Sequence, residues 1–198
     1  MTRMRAPREP RRCAAALALG LMLGVAGCVD VEGELKADGS LSIRYTYQPP
    51  RHATFKSEHA RLTSAHVRVE NLERDRSLDG SEPGEFVTAT LAVDDARQLS
   101  TAAAFAKVRI ELDQAQGKLR VTLPGFDPAT RERVRAAPEG VDRQALRVSL
   151  VLPGPVNDAE PHATIDARTV TWTFSTRQYD EAGDSVTLVA SWGAKPAP

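Results

Sequence analysis

"VDVEGELKADGSLSIRYTY", residues 29–47, decides the fold class. Val29, Val31 and Leu35 fall on one side of its first half, and Leu41, Ile43, Tyr45 and Tyr47 alternate through its second. A period of two marks a strand with one buried face, because successive side chains point to opposite faces. Asp38-Gly39 between the two runs supplies the residue types that a tight hairpin turn needs. Pro49-Pro50 then stops the second strand, since proline has no amide proton to give a ladder.

The same pattern recurs downstream. "AHVRVENLERDR" alternates around Val67 and Val69, and "EFVTATLAV" around Val87, Ala89, Leu91 and Val93, with the polar turn "SLDGSEPG" (77–84) between them. "KVRIELDQAQGKLRVTL" sets Val108, Ile110 and Leu112 against Leu119, Val121 and Leu123 as another hairpin. "ALRVSLVL", "TVTWTF" and "SVTLVASW" complete a set of about nine strands.

Helical signals are short. "ATFKSEHARLTS" (53–64) places Phe55, His59 and Leu62 at i, i+4 and i+7, one apolar stripe. In "DDARQLSTAAAF" (94–105), Asp95 with Gln98 three residues on reads as a capping box opening an alanine-rich helix. "DPATRERVRAA" has Asp127 as N-cap and Pro128 in the first turn. Strands joined by hairpin turns, with two or three short helices packed on them, predict an α+β fold with a mainly antiparallel sheet.

Working outward to the N-terminus, Arg3, Arg5, Arg8, Arg11 and Arg12 face a single acid, Glu9, and "AAALALGLMLGVAG" (14–27) follows without a charge. A basic segment followed by a short apolar one is a secretory signal. It is too short for a spanning helix, which needs about 20 apolar residues. Val25, Ala26 and Gly27 lead into Cys28, the pattern of a lipobox, in which the cysteine is lipidated and begins the mature chain. Residues 1–27 are thus expected to be a lipoprotein signal peptide and residues 28–192 a single α+β domain anchored through Cys28. Residues 193–198 are read as a frayed tail. The expected location is the cell envelope, facing the periplasm or the exterior.

Processing changes the chemistry available. Cys13 leaves with the signal and Cys28 becomes a thioether, so cysteine nucleophiles, redox pairs and thiolate zinc sites are excluded. Removing five arginines and one acid from the chain's 26 basic and 26 acidic residues leaves 21 and 25, a net charge of −4. Mixed charges with a mild acidic excess give no footprint for nucleic acid.

From Leu146 onward the chain reads "LRVSLVLPGPV", then "TVTWTF" at 169–174. Together with the lipobox and the "ADGS" turn, this resembles bacterial lipoproteins of the LppM-like type. The resemblance implies a membrane-attached α+β domain without enzymatic chemistry that contacts lipids or glycolipids. It also implies a C-terminal hydrophobic segment, which "WGAKPAP" does not contain. The shared positions are turn and core residues, and no functional residue is carried over.

His52, His59 and His66 recur every seven residues near Glu58, a spacing that puts side chains on one helix face. Pro49-Pro50 sets His52 at the helix start, and the strand pattern puts His66 past its end. They are read as surface polar groups with one on the amphipathic face, and no metal site is assigned. There is no GxSxG, HExxH, SxxK or glycine-rich phosphate loop, and no motif that calls for a cofactor. Asp94-Asp95 reads as a helix cap and Asp180-Glu181 as part of a turn.

Tyr45, Tyr47, Trp172 and Trp192 stand out because aromatic residues make up only 5% of the chain. They are core residues by their alternation and, in the functional reading, the lining of a candidate apolar groove for an acyl chain or a peptide edge. Two functions remain open. One is a non-catalytic module, lipid-anchored at the membrane, that engages a lipid, a glycolipid or an envelope protein. The alternative is an envelope hydrolase whose carboxylates meet only in the fold. An empty apolar groove near Trp172 favours the first, and two carboxylates converging in a polar cleft with raised pKa values favour the second.

Overall fold

The 29–47 stretch forms a hairpin of β1 (Val29–Leu35) and β2 (Leu41–Tyr47), paired antiparallel from Asp30↔Thr46 to Leu35↔Leu41. Gly39 takes the left-handed conformation the turn demands, with φ +87°. Asp38 Oδ1 accepts from the Ser40 hydroxyl at 2.7 Å and its amide at 2.9 Å, and these bonds hold the carboxyl below its usual range. The structure is a computed structural model that describes residues 29–50, 52–76, 85–138 and 142–193. Cys28, the signal segment, the 77–84 turn and residues 194–198 of the tail lie outside the described residues.

The hairpin is the centre of the larger sheet. β3 (Val67–Arg76) and β4 (Glu85–Val93) extend it on the β2 side. β7 (Gln144–Val151) joins the free edge of β1 in parallel, Val29 opposite Leu146, followed by β10 (Thr169–Ser175) and β9 (Ala163–Asp166). The smaller sheet runs β5 (Arg109–Asp113), β6 (Lys118–Pro124), β11 (Ser185–Trp192) and β8 (Val156–Glu160), all antiparallel. This is an α+β architecture of two mostly antiparallel sheets.

Each sheet buries one face, as an antiparallel sheet with a solvated side does. In the larger sheet Leu41, Ile43 and Tyr45 of β2, Ala89 and Leu91 of β4, and Leu146, Val148 and Leu150 of β7 turn inward. The outer face is polar: Thr46 meets Thr88 at 3.1 Å, Ser149 meets Thr171 at 3.0 Å, and Arg147 bridges to Asp30 at 3.3 Å and Glu32 at 3.1 Å.

Three α-helices cover the margins: α1 (Phe55–Leu62), α2 (Pro128–Ala136) and α3 (Thr176–Glu181). Asp127 caps α2 through Thr130 N at 3.1 Å, with Pro128 in its first turn. The face that α1 buries differs from the sequence expectation. Phe55 is 53% exposed and His59 is exposed, while Glu58 and Leu62, four apart, point inward. A carboxylate occupies the inner face because Tyr47 and Arg61 satisfy it, as described below.

The 94–105 segment is 3-10 rather than α-helical, over Ala96–Thr101 and Ala103–Phe105. Its buried residues explain this. Ala96, Leu99, Ala102 and Phe105 recur every three residues, which matches three residues per turn and not 3.6. The bonds follow the same step, Gln98 N to Asp95 O at 2.8 Å and Phe105 N to Ala102 O at 2.9 Å. Asp95 does cap the segment, but through Arg97 N at 2.9 Å.

The strands β8 and β9 and the helix α3 have no counterpart in the sequence reading. Asp180-Glu181 ends α3 rather than lying in a turn. Among the described residues no helix is long and apolar enough to cross a membrane.

Candidate functional site

The inner faces of the two sheets do not close completely. Between them lies a cavity of about 100 Å³. Val29 and Val31 of β1, Ile43 and Tyr45 of β2, and Leu146 and Val148 of β7 form one wall. Val121 and Leu123 of β6 and Leu188 of β11 form the other. Leu99 and Phe105 from the 3-10 segments and Tyr179 from α3 close its flanks. A hole of this size is large for a packed core, since interiors have few voids larger than a water molecule.

The cavity is not sealed. Val31 lies on β1, flanked by β2 and β7, and its side chain faces the other sheet, yet it is only half-buried. Part of the Val31 surface therefore borders the space between the sheets instead of packed side chains. Ile110 and Leu123, also on the lining, are half-buried too. Apolar cavities take apolar guests, and an engineered one of about 150 Å³ binds benzene.

Two phenols are the polar groups on the lining. Tyr179 donates to Pro124 O at 2.7 Å, and burial pushes its pKa up. Tyr45 stacks on Tyr47, centroids 4.5 Å apart, and meets Phe105 edge-on at 5.3 Å. Burial raises Tyr45 to about 12, so it stays a neutral donor. No hydrogen bond to its hydroxyl is found among the described residues.

Tyr47 does not line the cavity. Its hydroxyl donates to the Glu58 carboxylate, which also accepts from Arg61 Nη2 at 2.9 Å. The Arg61 guanidinium lies over the Tyr47 ring, 5.5 Å from its centroid. Burial, then the Glu58 bond, drives the Tyr47 pKa upward. This triad fastens α1 to the end of β2 and backs the Tyr45 ring.

The other two aromatics singled out in the sequence lie elsewhere. Trp172 is fully buried, and its Nε1 donates to Glu160 O at 3.1 Å. Trp192, 8% exposed, ends β11, where its amide donates to Gly117 O at 2.8 Å. Neither lines the cavity, so of the four only Tyr45 reaches it. Phe105 and Tyr179 were missed. The signals that could have found them are the three-residue spacing 96-99-102-105 for the first and the capping box Ser175-x-x-Gln178 ahead of Tyr179 for the second.

His52, His59 and His66 are all exposed, and no group of three metal-ligating side chains occurs among the described residues. A shallow depression on the smaller sheet gathers Glu111, Asp113 and Asp158. There Glu111 pairs with Arg120 at 3.7 Å and Asp113 accepts from Gln116 N at 3.0 Å. Among the described residues, the carboxyls displaced from their ordinary pKa, Asp38, Asp95, Asp127 and Asp142, are all displaced downward by hydrogen bonds. A general acid needs the opposite shift.

No protein-family model matches the chain, and no curated protein matches it. It is similar to the NMR structure of the folded domain of the Mycobacterium tuberculosis LppM protein. The superposition covers 86% of this chain and 91% of that one, at 15% sequence identity and a TM-score of 0.46.

Proposed function

We propose that the chain is a membrane-anchored bacterial envelope lipoprotein, held by lipid on Cys28, whose domain is a non-catalytic module binding the aliphatic chain of a lipid or glycolipid between its two sheets. The observation that carries this reading is the apolar space between the sheets, bordered by the half-buried Val31 of an interior strand. Each methylene entering it gains about 0.8 kcal/mol, so four to six of them contribute about 3–5 kcal/mol. Tyr45, on the lining and kept neutral by burial, is the candidate donor for an ester or acid carbonyl at the head of the chain. Specificity then comes from a single polar contact in an otherwise apolar pocket.

Native mass spectrometry of detergent-extracted protein tests both halves. The expected spectrum shows a covalent mass on Cys28, absent in Cys28→Ser, and a non-covalent lipid adduct. An unmodified mature N-terminus overturns the anchor. Lipidated protein that carries no adduct, and gains none when incubated with phospholipid, overturns the binding function.

A further inference from the structure

We infer that the end of the larger sheet that carries the anchor lies against the membrane, with the Phe55 ring inserted among the lipids and His52 and Lys56 at headgroup level. This rests on the lipid-anchor reading but not on the cavity. The topology fixes which residues share that end. Val29 begins β1 directly, so one peptide bond separates it from Cys28, and the sheet has no linker by which to stand off from the bilayer.

Across the strands the same level can be followed step by step. Asp30 is opposite Thr46, Tyr47 is opposite Val87, and Val87 is opposite Arg74. Arg74 Nη2 donates to Ala53 O at 2.6 Å, which ties the segment before α1 to this level, and Arg74 also pairs with Glu85 at 3.2 Å. Three strand spacings place it about 15 Å from β1 along the sheet end. The segment leads into α1, whose first residue is Phe55.

Phe55 is one of two large hydrophobic residues exposed among the described residues, at 53%. Its neighbours Pro50, His52 and Lys56 are also exposed. Aromatic rings with flanking cations are the groups that settle at the boundary between headgroups and acyl chains. The capping box of Thr54 and Ser57, with Ser57 N to Thr54 Oγ1 at 3.1 Å, holds Phe55 in this outward position. At the other end of the same strands stand the 36–40 turn and Asp94-Asp95, which should face away.

The test uses the lipidated full-length chain in nanodiscs of phosphatidylethanolamine and phosphatidylglycerol carrying a gadolinium-chelating lipid. Amide signals of residues 52–56 should broaden at least as strongly as those of Val29 and Asp30, while those of 37–39 and 94–95 stay sharp. Phe55→Ser, still lipidated and still bound to the discs, should lose at least threefold of the broadening at 52–56 and keep it at Val29. Sharp 52–56 signals beside broadened Val29 overturn the inference while sparing the anchor. Unchanged broadening in Phe55→Ser also overturns it. A chain that does not join the discs and has no lipid mass on Cys28 shows instead that the anchor reading itself has failed, and the inference falls with it.

Discussion

Filling the space between the sheets should stabilise the empty domain and weaken its hold on ligand at the same time. Val31 is the position to change, because it faces the cavity from an interior strand and is only half-buried. At about 24 cal/mol per Å³ of unfilled volume, a void of about 100 Å³ costs about 2.4 kcal/mol. Val31→Leu adds one methylene and should recover about 0.8 kcal/mol. For a domain of this size that is a rise of about 2–3 °C in Tm. Val31→Phe fills more of the space and should block it. Urea unfolding followed by tryptophan fluorescence reads the stability, and titration with a fluorescent polyene fatty acid reads the affinity. Losing about 1.4 kcal/mol of chain burial weakens Kd tenfold, the shift expected for Val31→Phe. If both variants are destabilised by more than about 1 kcal/mol, the typical cost of overpacking, and probe affinity is unchanged, the reasoning is refuted. The space was then already full and the probe binds elsewhere.

Three further outcomes follow from the packing. Arg61→Met should cost about 3–5 kcal/mol in chemical denaturation, because the buried Glu58 loses its ion-pair partner and keeps only the Tyr47 hydroxyl. The loss should shrink when Glu58→Gln is added. Gly117→Ala should lower stability beyond the usual left-handed penalty of about 1 kcal/mol. The residue has φ +58°, and a Cβ there would meet Trp192 O at 2.1 Å, so a change in Trp192 fluorescence should accompany the loss. Asp127→Ala removes the α2 cap and should cost about 1 kcal/mol near neutral pH. The Thr130 hydroxyl bond lowers the Asp127 pKa from 3.8, so its contribution is full above that value and lost as pH falls through the depressed one. Unfolding curves of wild type and variant should therefore converge below pH 3.8.

The parts of the fold that were legible in sequence are those where one local pattern and one packing demand agree. The 29–47 hairpin, the 107–123 hairpin and the capped α2 fall in that group, since alternation, Asp-Gly and Asp-Pro each act over a few residues. The strands β8 and β9 were not legible. "VNDAE" and "ATID" are short edge strands without a fully buried side chain, so neither carries an alternating apolar signal. The parallel pairing of β1 with β7 joins residues more than a hundred positions apart, and nothing local encodes it. The inward turn of Glu58 depends on Tyr47, and so on a tertiary contact.

The site was partly legible for the same reason. Alternation placed Tyr45 on a buried face but could not say that two sheets would meet there without filling the gap. Trp172 and Trp192 stand out by size, yet the Trp172 indole bonds the Glu160 carbonyl and Trp192 sits at the end of β11, both away from the cavity lining. The cavity is made by what aliphatic side chains from both sheets fail to occupy, and only the assembled fold reveals it. The proposed anchor, by contrast, rests on sequence alone, on "LGVAGC", whose Cys28 lies outside the described residues.

The central claim is that an aliphatic chain enters between the sheets, and intermolecular NOE spectroscopy on lipid-loaded protein addresses it most directly. Cross-peaks from acyl methylene protons to the methyl groups of Val31, Val148 and Leu188 are expected. Cross-peaks confined to residues on the outer faces of the sheets, with those three methyl shifts unmoved by lipid, would contradict it.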